Sequence, residues 1–174
     1  ERNGFLSNLS RGFAFGDKAI VTTGADSECL LRVKDGSGIY IGPDSMVEFS
    51  SFGPGKSPKV FIKLHSGNVS ANVVKLTKAS SFEVACASVT AKVRGTEFMV
   101  SAGGTSEPFV AVLDGSVQVE SNSNPSRKVV LTSMERSSFV GSEFVSESLP
   151  QKNIEFIRKA QKDTAFWLAK KAGL

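Results

Sequence analysis

The chain reads as an all-β protein: a hairpin-built sandwich or an irregular open β-helix of jelly-roll type, with one C-terminal amphipathic α-helix. Three observations predict this. Apolar residues alternate with polar ones up to about residue 145. Asp-Gly and Ser-Gly pairs punctuate that alternation where tight turns are needed. The apolar period then changes from two to that of a helix.

Taken in order, Cys29 to Val33 runs into Lys34-Asp35-Gly36-Ser37 and is followed by Ile39-Tyr40-Ile41. This predicts a hairpin, because Asp-Gly accommodates the positive φ of a type I′ turn. The same reading makes a hairpin of Val60, Ile62 and Leu64, Ser66-Gly67, then Val69, Ala71 and Val73. It makes a third of Phe109 to Leu113, Asp114-Gly115, then Val117 and Val119. The turns at 36, 67 and 115 are unevenly spaced, which argues against a strict solenoid. Segments 52–58, 103–106 and 122–125 are loops by composition. From Phe82 to Val100 one long strand-like stretch changes parity at Ser88 and again beyond Gly95, so a bulge or bend is expected at each.

The helix starts at Ser148-Leu149-Pro150-Gln151, with Ser148 and Gln151 spaced as a capping box and Pro150 in the first turn. Ile154, Ile157, Ala160, Ala165 and Leu168 form its apolar stripe, widened by Phe156, Phe166 and Trp167, and Gly173 ends it. Two parts follow: a β-domain over 1–147, and a basic helix over 148–174 packed on it or extending from it.

At 174 residues the chain can bury about 70% of the surface it exposes when unfolded, so neither disulfide nor metal is needed for folding. Cys29 and Cys86 read as free, buried thiols. The net charge is +4, and the last 24 residues hold all of it: six basic side chains against two acidic ones. The remainder is neutral. Lys152, Arg158, Lys159 and Lys162 are therefore the candidate partner-binding surface.

Catalytic patterns are missing. His65 is the only histidine, and it sits beside a turn, as a solvent-facing strand end would. Gly53-Pro54-Gly55-Lys56-Ser57 imitates the end of a phosphate loop, but Ser50 stands where the first glycine is needed and Pro58 precludes the following helix. No cofactor and no metal is expected, and basic residues of the β-part are not interleaved with aromatics as nucleic-acid binding would require. No apolar run approaches a membrane span. The chain begins at Glu1, which reads as a mature or trimmed segment.

One stretch carries a specific signature. Val93-Arg94-Gly95-Thr96-Glu97-Phe98-Met99-Val100 resembles the V-R-G-T-E-F-x-V motif of the FecR family, and Val112-Leu113-Asp114-Gly115-Ser116-Val117-Gln118-Val119 resembles the V-x-x-G-x-V-x-V segment that follows it. Upstream, Gly16-Asp17, Thr23-Gly24, Asp35-Gly36-Ser37 and Leu64 to Val69 fall in the family's order, so the resemblance covers roughly 12–140. Cys86-Ala87 stands where the family commonly has Thr-Pro. The anti-sigma segment, membrane helix and C-terminal signalling subdomain of full regulators are not visible in this sequence. The resemblance implies a non-enzymatic periplasmic or cell-surface module with a protein partner in the envelope. A structural or cell-wall scaffold is the other reading. Membrane-surface or cell-wall contact would fall to the basic helix, and oligomeric state stays open. Within the motif, Arg94 and Glu97 interrupt an apolar strand. If buried, Arg94 should be tied to a carboxylate or to carbonyls near Gly95, because an uncompensated buried charge costs several kcal/mol; if exposed, it forms a surface pair.

Overall fold

The computed structural model describes residues 18–33, 35–52, 59–74, 80–103 and 107–172, with side chains described to Asp163 in the helix and not at 51–52. The expected phosphate-loop look-alike at 53–57, Gly16-Asp17 and Gly173 lie outside these residues.

Among the described residues thirteen strands precede one helix: β1 (Ala19–Thr22), β2 (Cys29–Arg32), β3 (Gly38–Ile41), β4 (Met46–Phe52), β5 (Lys59–Asn72), β6 (Ser81–Ala85), β7 (Val89–Val93), β8 (Glu97–Ala102), β9 (Phe109–Asp114), β10 (Ser116–Ser121), β11 (Lys128–Thr132), β12 (Glu135–Val140), β13 (Glu143–Ser148) and α1 (Gln151–Ala172). They form one sheet folded into two layers. The first runs β1-β4-β5-β6-β7-β10-β11 and the second β2-β3-β5-β8-β9-β12-β13. Every pairing is antiparallel except β5 with β6. Val47, Phe49, Ile62, Leu64 and Phe82 from the first layer meet Ile39, Ile41, Val69, Phe98 and Val100 from the second in one buried core. Phe82 and Phe98 meet across it edge to face, ring centroids 6.2 Å apart.

Of the three expected hairpins, one forms. β2 and β3 pair through the loop around Asp35-Gly36, but only Gly36 of that pair has positive φ (98°), so the turn is not type I′. Asp35 Oδ1 instead accepts from the Ser37 N–H at 2.8 Å. The other two are not hairpins. β5 continues through Gly67 as a single strand: its first half pairs with β4 and β6, its second with β3 and β8. At Asp114-Gly115 the chain passes from β9 in the second layer to β10 in the first. A glycine at positive φ joined to a parity change fits a hairpin and a corner equally well, and here the chain turns corners. The stretch Phe82 to Val100 divides likewise, into the β6–β7 hairpin closed by Cys86 N–H to Val89 O (2.9 Å) and the corner at Gly95 before β8.

Between its described strands the chain changes layer seven times. Among the described residues, five of these crossings carry a left-handed residue: Asp44 (φ 51°), Gly67 (89°), Gly95 (72°), Gly115 (96°) and Met134 (67°). Side-chain hydroxyls close them, buried at Thr23, Ser37, Ser45 and Thr96 and exposed at Ser133. Along one ridge, Thr23 Oγ1 donates to Gly42 O (2.7 Å) and accepts from Ser45 N–H (3.0 Å), while Ser45 Oγ accepts from Asn68 N–H (3.0 Å). Along the other, Ser37 Oγ accepts from Val74 N–H (3.2 Å), Thr96 Oγ1 donates to Ser116 O (2.9 Å), and Ser133 Oγ accepts from Gly115 N–H (2.9 Å).

α1 lies on the outer face of the second layer. Ile154, Ile157 and Leu149 pack on Met99 and Ala111, with Phe109, Leu113 and Phe156 at the margin. β3 is therefore buried on both faces. Phe156 stands edge-on to Tyr40 at 5.5 Å, and a Cβ at Gly42 would lie 3.3 Å from the Phe156 ring. The expected capping box does not form. Ser148 pairs with Glu135 at the end of β13, Gln151 Nε2 donates to Glu155 Oε1 (3.0 Å), and Pro150 O accepts from the N–H groups of Asn153 (2.9 Å) and Ile154 (3.2 Å).

Gly67 and Gly141 separate conformation from crowding. A Cβ at Gly67 would meet Ser45, its Cα at 2.5 Å, whereas nothing lies within 4 Å of one at Gly141 (φ 64°). Gly141→Ala should cost about 1–2 kcal/mol for the left-handed backbone alone. Gly67→Ala should cost about 1–3 kcal/mol more from overpacking. Urea denaturation of both variants measures the difference, and equal costs would refute the corner's close packing.

Candidate functional site

The motif residues occupy one corner. β7 delivers Val93 to the core, where it stands opposite Phe82 on one side and Val117 on the other. Gly95 and Thr96 turn the chain, and β8 carries Glu97 and Phe98 into the second layer. Phe98 is fully buried. The Asp114-Gly115 corner lies directly against this one, since a Cβ at Gly115 would lie 2.9 Å from both Gly95 O and Thr96 Oγ1. Only glycine allows the two corners to approach so closely.

The charged residues of the motif are not the ones it buries. Arg94 is exposed, so the condition for a buried pair is not met. Glu97 is half-buried and accepts from Asn72 Nδ2 at 3.2 Å. Thr96, 2% exposed, is the buried polar residue, and it binds the facing corner through Ser116 O at 2.9 Å and, as acceptor, Ser116 N–H at 3.4 Å. Its role was hidden in the sequence, because a threonine between a glycine and a glutamate carries no burial signal of its own. Asp114 is exposed and takes a long 3.4 Å bond from Ser133 Oγ. Arg94 instead lines an open depression of about 330 Å³ on the outside of the first layer, with Ser81, Glu83, Lys92 and Gln118.

The second set of residues lies on the other side of the molecule. Lys152, Arg158 and Lys162 are exposed on the face of α1 turned away from the sheet. Lys159 differs. Its Nζ reaches back to Glu28 Oε2 at 3.0 Å and Tyr40 OH at 3.4 Å, and lies 5.6 Å over the Tyr40 ring. Tyr40 OH also donates to Glu28 Oε2, at 2.6 Å. Hydrogen bonds from Tyr40 and then Lys159 hold the Glu28 carboxyl below its ordinary pKa. Burial, then the Glu28 hydrogen bond, raises the tyrosine, and the bond to Glu28 raises the lysine above its usual value. The three residues clip the helix to the sheet. Sequence separations of 119 and 131 conceal such a cluster. Its only trace was Tyr40, an amphipathic ring on the strand face opposite the core residues Ile39 and Ile41. The structure thus does not bring the motif and the basic helix together.

The remaining reactive side chains are dispersed. His65 Nε2 lies 3.2 Å from Glu48 Oε2 on the exterior of the first layer, and its hydrogen bond lowers the Glu48 pKa. Cys29 is half-buried with its thiol pKa raised by burial, and Cys86 is buried; both are free. Among the described residues no three His, Cys, Asp or Glu side chains group as metal ligands, and no helix is long and apolar enough to cross a membrane.

Two outcomes follow. Thr96→Val removes the donor to the Ser116 carbonyl across this part-buried contact and should cost about 0.5–1.5 kcal/mol, whereas Arg94→Ala, at an exposed position, should stay within about 0.5 kcal/mol of the parent by chemical denaturation. Glu28, with a lowered folded pKa, stabilises above the unfolded value of 4.5 and loses that contribution as the pH falls through the folded value. Glu28→Gln should therefore be less stable than the parent at neutral pH, by at most about 1 kcal/mol at this exposed, salt-screened site. Thermal melts from pH 7 to pH 3 should show the gap closing on the acid side.

A family model described as FecR protein matches residues 19–118. No curated protein matches the chain in sequence. Two crystal structures, at 1.65 and 2.50 Å, of a protein from Parabacteroides distasonis ATCC 8503 provisionally described as an anti-sigma factor share the fold, each with TM-score 0.65 and 16% identity over 79% of this chain. The match spans 63% and 62% of those chains, so this chain accounts for under two thirds of their length. With more than half of its residues matched, including both facing corners, the chain belongs to the FecR family.

Proposed function

We propose that the chain is a non-enzymatic interaction module of the bacterial cell envelope, periplasmic or cell-surface, that serves signalling by binding a protein partner. The observation that carries this is the orientation of α1. Its inner face is packed on the second layer and fixed by Lys159, while Lys152, Arg158 and Lys162 are left exposed on a rigid outer face. Side chains held on a docked helix lose less freedom on binding than those on a free segment, which favours specific recognition. Their charge selects an acidic partner surface and speeds encounter with it. Family membership supports the signalling role, and the core position of the V-R-G-T-E-F motif makes that motif a structural element of the module.

The test is affinity capture from envelope fractions with the parent chain and with Lys152→Glu, Arg158→Glu, Lys162→Glu combined. All three positions are exposed, so the variant should fold. A specific protein retained by the parent, weakened by salt and lost from the variant, is the expected result. Equal retention by both would move binding off the helix. No specific protein, together with co-sedimentation on peptidoglycan, would replace this reading with that of a cell-wall scaffold.

A further inference from the structure

Among the described residues the folded sheet has four open edges: β1 and β11 in the first layer, β2 and β13 in the second. Edge strands expose unpaired N–H and C=O groups, and proteins blunt them by shortness, lysine, proline or a covering element. β1 and β2 are four residues long. β11 opens on Lys128. β13 has six residues, Glu-Phe-Val-Ser-Glu-Ser, without Lys, Arg or Pro, and its Val145 is 54% exposed.

Parity shows which of its groups are free. Gly141-Ser142 joins β12 to β13, so Val140 and Glu143 form the hydrogen-bonded pair beside a two-residue turn. The N–H and C=O groups of Glu143, Val145 and Glu147 then point to β12, and the series continues as Leu149 N–H to Met134 O at 2.7 Å. Those of Phe144, Ser146 and Ser148 point outward, and among the described residues they have no partner.

We propose that β13 pairs antiparallel with β13 of a second copy of this chain, about a twofold axis passing between the two Val145 residues. The edge is self-complementary in that register. Phe144 and Ser146 exchange both backbone bonds with Ser146 and Phe144 of the second copy, and Val145 meets its counterpart at a close, non-hydrogen-bonded position. Glu143 falls opposite Glu147 of the second copy, but neither brings an uncompensated charge. Arg127 Nη1 binds Glu143 Oε1 and Ser142 O, and Arg136 Nη1 lies 3.5 Å from Glu147 Oε1, so each end of the seam is neutral. Sliding the register by one pair in either direction sets Val145 against a glutamate. The second layers of the two copies would join into one continuous sheet. A seam of this length is small beside a standard interface, so the dimer is weak and forms only at high protein concentration.

Sedimentation equilibrium of the 174-residue chain over a concentration series tests this. Parent protein should move toward twice the monomer mass as concentration rises, with amide exchange at Phe144, Ser146 and Ser148 slowing in step. Ser146→Pro removes only an outward N–H, and Val145→Lys charges the seam; both should stay monomeric wherever the parent dimerises. Val130→Lys, on the β11 edge at a residue 57% exposed, should behave as the parent. A parent that is monomeric throughout overturns the proposal, as does self-association that survives both β13 variants or is abolished by Val130→Lys. Thermal melts verify that each variant is folded; if Ser146→Pro is not, Val145→Lys decides.

Discussion

The structure depends on one constraint: a chain that repeatedly crosses between two packed layers must bury backbone at every crossing. Buried peptide groups without partners cost about 1–3 kcal/mol each, and seven crossings would exceed the stability of an ordinary domain if left unsatisfied. The solution is the same on both ridges. A small hydroxyl residue at one corner bonds the backbone of the next, in the series Thr23, Ser45, Asn68 on one side and Ser37, Thr96, Ser133 on the other. Ser45 and Thr96 can sit so deep because the corners they face, at Gly67 and Gly115, lack a Cβ and take left-handed turns. The glycines and hydroxyls are thus one device, and the V-R-G-T-E-F motif is the place where it is most compact.

The two outer faces then receive opposite treatment. That of the first layer is polar, with His65 beside Glu48 and Lys92 beside Glu120. That of the second is apolar through Met99, Ala111 and Phe109, and it requires cover. α1 supplies it, but its packing is mixed. Asn153 is buried with its amide donating to Met99 Sδ at 3.7 Å, and among the described residues its Oδ1 has no partner. Fixation comes from apolar contact through Ile157 together with the Lys159–Glu28–Tyr40 clip at the far side. The helix is held at two places of different chemistry, one of them dependent on charge.

What the sequence made legible, and what it hid, follows from these same features. Alternation placed the strands and their inward faces, because burial on one side imposes a period of two whatever the topology. Topology was another matter. Gly67 and Gly115 signal positive φ and a parity shift, and both are equally true of a hairpin and of a corner between layers. Only the partners of the flanking strands distinguish them, and these lie far away in the chain. Arg94 drew attention as a charge within an apolar run, yet it follows the last residue of β7, where the chain is already leaving the core. Thr96 carried the burial instead. The helix was legible in its period but not in its cap, since Ser148 was already committed to β13.

A corner-locked sheet also limits how the module could act in the signalling role proposed for it. Moving one layer over the other would break hydrogen bonds on both ridges together, and close-packed interiors resist gradual deformation. Changes that leave the corners intact are far cheaper: docking as a rigid body, adding a strand to an open edge, or shifting α1 on its face. The outward cations of α1 and the open edge of β13 belong to this second class. The motif at the centre of the family signature belongs to the first, and it keeps the surfaces proposed to meet a partner in fixed relation to one another.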